Sequence, residues 1–202
     1  MAYHGYITLV KQYLHQQVPR ETPPSVLEIG VDRGVTFLSM VVFLARTRPT
    51  FTAIGVDIMV QEQVRVQLQH IDRNPGQSAY LIEDNSLAVL PKMVEQGMQF
   101  DVLFLDGDHN YHTVSQEMPL VGQLVRPGGI VVVDDYDGRW SERDLWYKER
   151  EGYEENKFAT AKVDTDKHGV KPAVDEWLET HPDWQKAKPI GGEPLLLMRK
   201  AA

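Results

Sequence analysis

The chain has 202 residues, 42% hydrophobic and 25% charged, which is enough to bury a core and typical of a soluble globular protein, so one domain over 1–202 is expected. Its formal charge of −8 argues against nucleic acid, whose phosphates call for a surplus of lysine and arginine, and leaves a small molecule or a protein as partner. The absence of cysteine excludes disulfides and thiolate chemistry, no signal-peptide pattern opens the chain, and its longest apolar stretch, Val35 to Ala45, falls short of the roughly 20 residues that cross a bilayer, so a cytoplasmic protein outside the membrane is expected.

Tyr6, Leu9, Val10, Tyr13 and Leu14 recur at helical spacing and predict a leading helix to Gln17, which Pro19, Pro23 and Pro24 close, so 1–24 forms a helix and linker. Val26–Ile29 predicts a first strand, Gly30 to Gly34 a tight turn, and Val35 to Arg46 a buried helix. A second strand, Thr52–Val56, ends at Asp57 and precedes a helix over Val60–Ile71. Ala79–Ile82 predicts the third strand, Glu83 to Ser86 a polar turn, and Leu87–Gln96 a helix. The fourth strand, Val102–Leu105, is followed by a helix over Tyr111–Val125, a turn at Arg126-Pro127-Gly128-Gly129, and a fifth strand at Ile130–Val133. A helix between each strand and the next predicts a mostly parallel sheet with helices on both faces. Residues 138–168 are polar with scattered aromatics and predict an irregular mobile segment, lid or edge cap. Val170–Thr180 predicts an amphipathic helix. Trp184–Ile190, a turn at 191–194 and Leu195–Arg199 predict a terminal antiparallel hairpin.

Two of the strands stop at acid: Asp106 and Asp108 follow the fourth, and Asp134, Asp135 and Asp137 the fifth. If the strands are parallel neighbours, these carboxylates share the crevice where open α/β sheets bind ligands. Two unit charges about 4 Å apart repel by roughly 4 kcal/mol at an effective dielectric near 20, so the cluster calls for a divalent cation or for a carboxyl group held protonated. His109 and His112, three apart, suit a transition metal, but the surrounding acids favour a harder ion. At the first turn, Gly30 is followed by Asp32 and Val35 where a dinucleotide fingerprint has its second and third glycines. Asp32 and Glu28 are poor neighbours for a pyrophosphate and good ones for a cationic amino-acid group. Asp57 is placed to accept hydrogen bonds from ribose hydroxyls. A nucleoside without phosphates fits this combination.

The acid before Gly30, the further glycine at Gly34 and Asp57 after the second strand resemble the class I S-adenosylmethionine-dependent methyltransferases, and the resemblance runs from about Val26 to Lys200. Asp106-Gly107-Asp108-His109-Asn110-Tyr111, followed by Arg126-Pro127-Gly128-Gly129 and Asp134-Asp135-Tyr136, is similar to the metal-dependent O-methyltransferases of the macrocin and novobiocin type, with which cephalosporin-hydroxylase-like proteins group. The segment Gly169 to Trp177 fits the same group. The resemblance implies a Rossmann-like sheet closed by the antiparallel hairpin. It implies that Glu28, Gly30, Asp32 and Gly34 frame the methionine part of S-adenosylmethionine, that Asp57 holds its ribose, and that Asn85 and Ser86 lie near its adenine, with Asp106 also bordering the cofactor. It further implies that Asp106, Asp134 and Asp135 ligate Mg2+ or another hard divalent cation. Asp108 is then the general base, with His109 the second candidate, and Asp137 a bystander.

Methyl transfer to oxygen is an in-line displacement that needs alignment of the hydroxyl and removal of its proton. The expected function is therefore metal-assisted O-methylation of a small polyhydroxylated molecule, a natural-product sugar or a catechol-like ring, with Lys148, Lys157 and Trp140 as candidates to cover it. A nucleotide- or NAD-using α/β enzyme and a non-catalytic binding module of the same fold are the competing readings. A homo-oligomer is left open.

Overall fold

Alternation along the strands sorts side chains to two faces, and each face is buried by its own layer of helices. The computed structural model describes residues 3–187 and 194–201, with side chains from Ile7 onward. Five parallel strands, β1 (Ser25–Ile29), β2 (Phe51–Asp57), β3 (Gln77–Glu83), β4 (Phe100–Leu105) and β5 (Val125–Val133), are joined by β6 (Trp184–Lys186) and β7 (Leu195–Arg199). The sheet order is β3-β2-β1-β4-β5-β7-β6, with β7 antiparallel to both neighbours. Helices α1 (Tyr3–Gln17), α2 (Val35–Thr47) and α3 (Glu62–Gln69) cover one face, and α4 (Ser86–Glu95), α5 (Tyr111–Leu124) and α6 (Val170–Glu179) the other. Leu27, Leu103 and Val131 point into the α4–α6 layer, whereas Val26, Val102 and Ile130 point into the α1–α3 layer. The expected α/β architecture, mostly parallel with an antiparallel end, is the one observed. Among the described residues, no helix is long and apolar enough to cross a membrane.

The leading helix is bound to the sheet by polar ties. Arg48 is buried, and its guanidinium donates to the carbonyls of Leu14, Val18 and Pro19, where α1 ends and leaves carbonyl groups without helical partners. The Tyr13 hydroxyl donates to the Gly128 carbonyl at 2.6 Å.

Two boundaries differ from expectation. β5 begins at Val125 rather than Ile130, and the expected turn at Arg126 to Gly129 lies within it as a bulge: these four residues stand opposite Asp101 alone, with Gly128 at φ 80°. Arg126 pairs there with Asp101 at 3.1 Å, and the other carboxylate oxygen of Asp101 accepts the Ser25 N–H at 2.7 Å. Helix α3 is shorter than predicted at both ends. The first hairpin strand is described only to Lys186, and the predicted turn at 191–194 falls largely outside the described residues.

The irregular segment 138–169 crosses the carboxyl ends of the strands and contains a single 3-10 turn at Tyr147–Glu149. Its anchors are side chains. Asp144 accepts the N–H groups of Tyr111 at 2.9 Å and Gly169 at 2.8 Å. Asn156 donates to the Ile58 carbonyl at 2.9 Å and accepts from Phe158 N–H at 2.8 Å.

Candidate active site

The sheet order reverses direction between β1 and β4, and the loops leaving these strands separate into a crevice. Gly30 continues β1 by donating to the Val56 carbonyl, and Asp106 continues β4 by donating to the Ile29 carbonyl, both at 2.8 Å. Gly30 has φ 86°, and a Cβ there would lie 1.9 Å from the Asp106 carbonyl oxygen, so only glycine lets the two loops meet. Asp32 occupies the left-handed region at φ 44°. That conformation explains why glycine is usual at this position and why aspartate, among the few residues that tolerate it, can replace it.

Asp57 braces the turn. One carboxylate oxygen accepts the N–H groups of Val31 and Asp32 at 2.7 and 2.8 Å, and the other accepts Met59 N–H at 2.8 Å. Burial pushes its pKa up, and these three amide bonds oppose the push. Glu28 is fully buried behind the turn, outside the cavity lining, with one carboxylate oxygen lacking a hydrogen-bond partner. Burial, and then the charge of Asp57, raise its pKa well above the ordinary range.

The crevice holds a cavity of about 310 Å³. Gly30, Asp32, Asp57, Asn85, Ser86, Asp106 and Asp108 line it, so seven of the expected site residues come together; Gly34 lies one turn away, under Leu38 and Val64. The Asn85 side chain has other work. Its oxygen accepts Leu87 N–H at 2.8 Å as the N-cap of α4, and its amide nitrogen donates to the Phe158 carbonyl at 2.6 Å and the Thr160 hydroxyl at 3.1 Å. Ser86 borders the cavity from the first position of α4.

Beyond the cavity, Asp106, His109 and Asp134 each present a donor atom, and these atoms lie within 4.8 Å of one another. Burial raises the pKa of Asp106 well above normal, and Asp134, hydrogen-bonded to it, adds to the rise. A proton shared between the two carboxyl groups is what their proximity requires when no cation is there. Asp135 differs from expectation: its donor atoms are not part of this group. It sits in the left-handed region at φ 54°, one carboxylate oxygen accepting Arg139 N–H at 3.0 Å and the other 3.5 Å from His109 Nδ1. His109 Nε2 lies 3.7 Å from Asp106, and burial lowers the imidazole pKa to about 4.

Asp108 faces the cavity. Its carboxylate accepts the Thr113 hydroxyl at 2.9 Å, with Thr160 and Asn110 as further donors, so burial raises its pKa and these bonds pull it down. Asp137 lies outside, paired with Lys171 at 2.6 Å.

Of the irregular segment, Tyr147, Arg150 and Tyr153 line the cavity. Lys148, Lys157 and Trp140, expected to cover a substrate, do not: Lys148 donates to the Asn156 carbonyl, Lys157 lies over the Phe158 ring and Trp140 stacks under Arg139. Glu117, fully buried on α5, also lies outside the sequence expectations. Neither of its carboxylate oxygens has a hydrogen-bond partner, and burial pushes its pKa up to about 8, with Asp108 adding to the rise and Ser86 opposing it. Its position gave a signal, since 117 falls on the same helical face as Val114, Val121 and Leu124.

The sheet order, the glycine turn opening α2 and the acid closing β2 are those of a class I methyltransferase. A family model described as a methyltransferase domain matches residues 27–136, more than half of the chain, and the chain belongs to that family of S-adenosylmethionine-dependent enzymes. Among solved structures, CalS11, a TDP-rhamnose 3'-O-methyltransferase of calicheamicin biosynthesis, superposes with a TM-score of 0.63 at 14% identity over 98% of this chain and 81% of its own. MycE of the mycinamycin pathway, in complex with Mg and SAH, gives 0.52 at 17% identity over 97% of this chain and 48% of its own. Human methyltransferase-like protein 13 with SAH gives 0.55 at 13% identity, covering 100% and 83%. These are likenesses of fold. Uncharacterized protein R132 of Acanthamoeba polyphaga mimivirus is 42% identical over 55 residues, and the match spans 27% of this chain and a quarter of that protein.

Proposed function

We propose that the chain, as a single domain, transfers a methyl group from S-adenosylmethionine to a hydroxyl of a small polyhydroxylated molecule, with assistance from a divalent cation. The carrying observation is the adjacency of the Gly30 cavity to the Asp106, His109 and Asp134 cluster at one strand-end crevice. Five aspartates and two arginines line the cavity. That balance suits a donor carrying a sulfonium and an ammonium, and works against the pyrophosphate that a dinucleotide-using enzyme would have to seat.

The Gly30 turn, braced by Asp57, positions the methionine and ribose parts. Tyr147, Arg150 and Tyr153 close the cavity from above and limit water. The donor set, two carboxylates and an imidazole around one point, fits a divalent cation, which when bound would lower the pKa of a coordinated hydroxyl. Asp108, fixed by Thr113, is the group to receive the hydroxyl proton. The fold neighbour CalS11, named for a sugar hydroxyl, supports the choice of acceptor class.

The test is methyl transfer from labelled S-adenosylmethionine to a panel of nucleotide-linked sugars and catechols, with and without chelator. Transfer that is lost with chelator and in Asp134→Ala supports the reading. Cofactor binding with transfer indifferent to both removes the cation. Stabilisation by NAD, with none by S-adenosylmethionine, rejects the proposal altogether.

A further inference from the structure

Resting on the reading that the cavity seats S-adenosylmethionine and a hydroxylated acceptor, we infer that the two tyrosines roofing it divide the ligands between them. The Tyr153 hydroxyl holds the ribose end of the donor, and the Tyr147 hydroxyl selects the acceptor by bonding an oxygen beside the one that is methylated. Other tyrosines spend their hydroxyls within the protein: Tyr13 on the Gly128 carbonyl, Tyr111 on Glu176 and Tyr136 on Asp175. Among the described residues, the hydroxyls of Tyr147 and Tyr153 have no such partner, and both residues line the cavity. A half-buried phenol on a cavity wall, without a protein acceptor, is available to whatever enters.

The backbone places the two phenols at opposite ends of the crevice. Leu145 N–H donates to the His109 carbonyl at 2.9 Å, and the Asn110 amide donates to the Leu145 carbonyl at 3.3 Å, so the chain reaches Tyr147 from the end of β4, next to Asp106 and Asp108. Arg150 N–H then donates to the Tyr147 carbonyl at 2.8 Å, Tyr153 N–H to the Arg150 carbonyl at 3.0 Å, and Asn156 N–H to the Tyr153 carbonyl at 3.0 Å. Each turn closes three residues on, a spacing at which side chains eclipse, so Tyr147, Arg150 and Tyr153 share the side that lines the cavity. The series ends where the Asn156 amide donates to the Ile58 carbonyl at 2.9 Å, which fixes Tyr153 near Asp57 at the end of β2.

The charges that reach each phenol agree with this placement. Burial, then Asp106 and Asp108, raise the pKa of Tyr147, whereas burial, then Asp57 and Asp32, raise that of Tyr153, so both hydroxyls stay protonated and can donate. The two rings touch, with centroids 5.2 Å apart at 51°, and the Arg150 guanidinium lies 5.7 Å from the Tyr147 ring centroid, which holds Tyr147 over the carboxylates proposed to act on the reacting hydroxyl. A donor fixed there favours ligands that carry a second oxygen close to the first, as the vicinal hydroxyls of a sugar or a catechol do, over an isolated hydroxyl.

The experiment uses the full chain, with S-adenosylhomocysteine as the donor probe and the best acceptor from a panel of nucleotide-linked sugars and catechols. Phenylalanine keeps each ring and removes only the hydroxyl, and loss of one neutral hydrogen bond weakens a ligand by about three- to tenfold. Tyr153→Phe is expected to weaken S-adenosylhomocysteine by that factor in calorimetry, and Tyr147→Phe to leave it within about twofold. Tyr147→Phe is expected to raise the acceptor KM by the same factor while kcat stays within about twofold, the split that marks a contact made equally in ground and transition states. Equal loss of S-adenosylhomocysteine binding in the two variants, no loss in Tyr153→Phe, or an unchanged acceptor KM in Tyr147→Phe overturns the inference and leaves methyl transfer standing. If the wild-type chain binds S-adenosylhomocysteine but methylates nothing in the panel, the acceptor reading falls and the Tyr147 assignment with it, while the binding comparison still decides Tyr153.

Discussion

Gly30 and Asp106 touch through their backbones, so that the glycine turn and the acidic strand end form one surface: a side-chain carbon on Gly30 would sit 1.9 Å from the Asp106 carbonyl oxygen. Because Gly30 also holds φ 86°, Gly30→Ala introduces both a clash and a strained backbone. The expected cost is about 2–4 kcal/mol of stability, read from the urea midpoint. Binding of S-adenosylhomocysteine should be lost even where the variant is folded. Retention of wild-type affinity would show that the turn and the acid are not coupled.

Asp57→Ala leaves the N–H groups of Val31, Asp32 and Met59 without their acceptor. Charge-assisted bonds of this kind contribute about 1.5–3 kcal/mol each when intact. Cofactor affinity should fall by about 100-fold or more in a calorimetric titration, with Asp57→Asn intermediate because it keeps one acceptor oxygen.

Glu117 makes stability depend on pH. Its folded pKa, near 8, exceeds the ordinary value of 4.5, so between these values the native state holds a proton that the unfolded state has released. Stability is then fully present below about pH 4.5, falls as pH rises, and levels off above about pH 8, with a span on the order of 4–5 kcal/mol. Glu117→Gln should flatten this part of the profile. Chemical denaturation at pH 5 and pH 8.5 checks it, and a wild-type slope kept in the variant would refute the assignment.

Asn156 ties the irregular segment to the β2 end through the Ile58 carbonyl and shapes its own turn through Phe158 and Ala159. Asn156→Ala should raise amide exchange across 147–160 while leaving β1, β2 and β4 protected. A uniform rise over the whole chain would point instead to global destabilisation.

Much of the fold was legible in the sequence, because each parallel strand is a short apolar run between helical periods and each stops at a residue with a role. Gly30, Asp57, Asp106 and Asp108 were readable for that reason: their place at a strand end determines their neighbours. At Arg126 to Gly129, proline and glycine signal the local turn but not that the strand already starts at Val125 and carries the turn as a bulge. The bulge is held in the sheet by tertiary contacts, the Asp101 ion pair and the close approach of Gly129 to the Asp101 carbonyl. That Asp135 stands apart from the cluster of Asp106, His109 and Asp134 goes with its left-handed backbone, which composition does not encode. Tyr147, Arg150 and Tyr153 lie in a segment without periodicity, so only the three-dimensional course of the chain brings them over the cavity.

Asn85 starts a helix with one end of its amide and fastens the segment over the cavity with the other. Its donors are already spent on Phe158 and Thr160, so they are not open to a ligand in the cavity. Changing Asn85 to alter base preference would unfasten the roof of the site. Diversification of the donor end of this enzyme is therefore constrained by its architecture, and variation at the acceptor end, away from that amide, meets no such conflict.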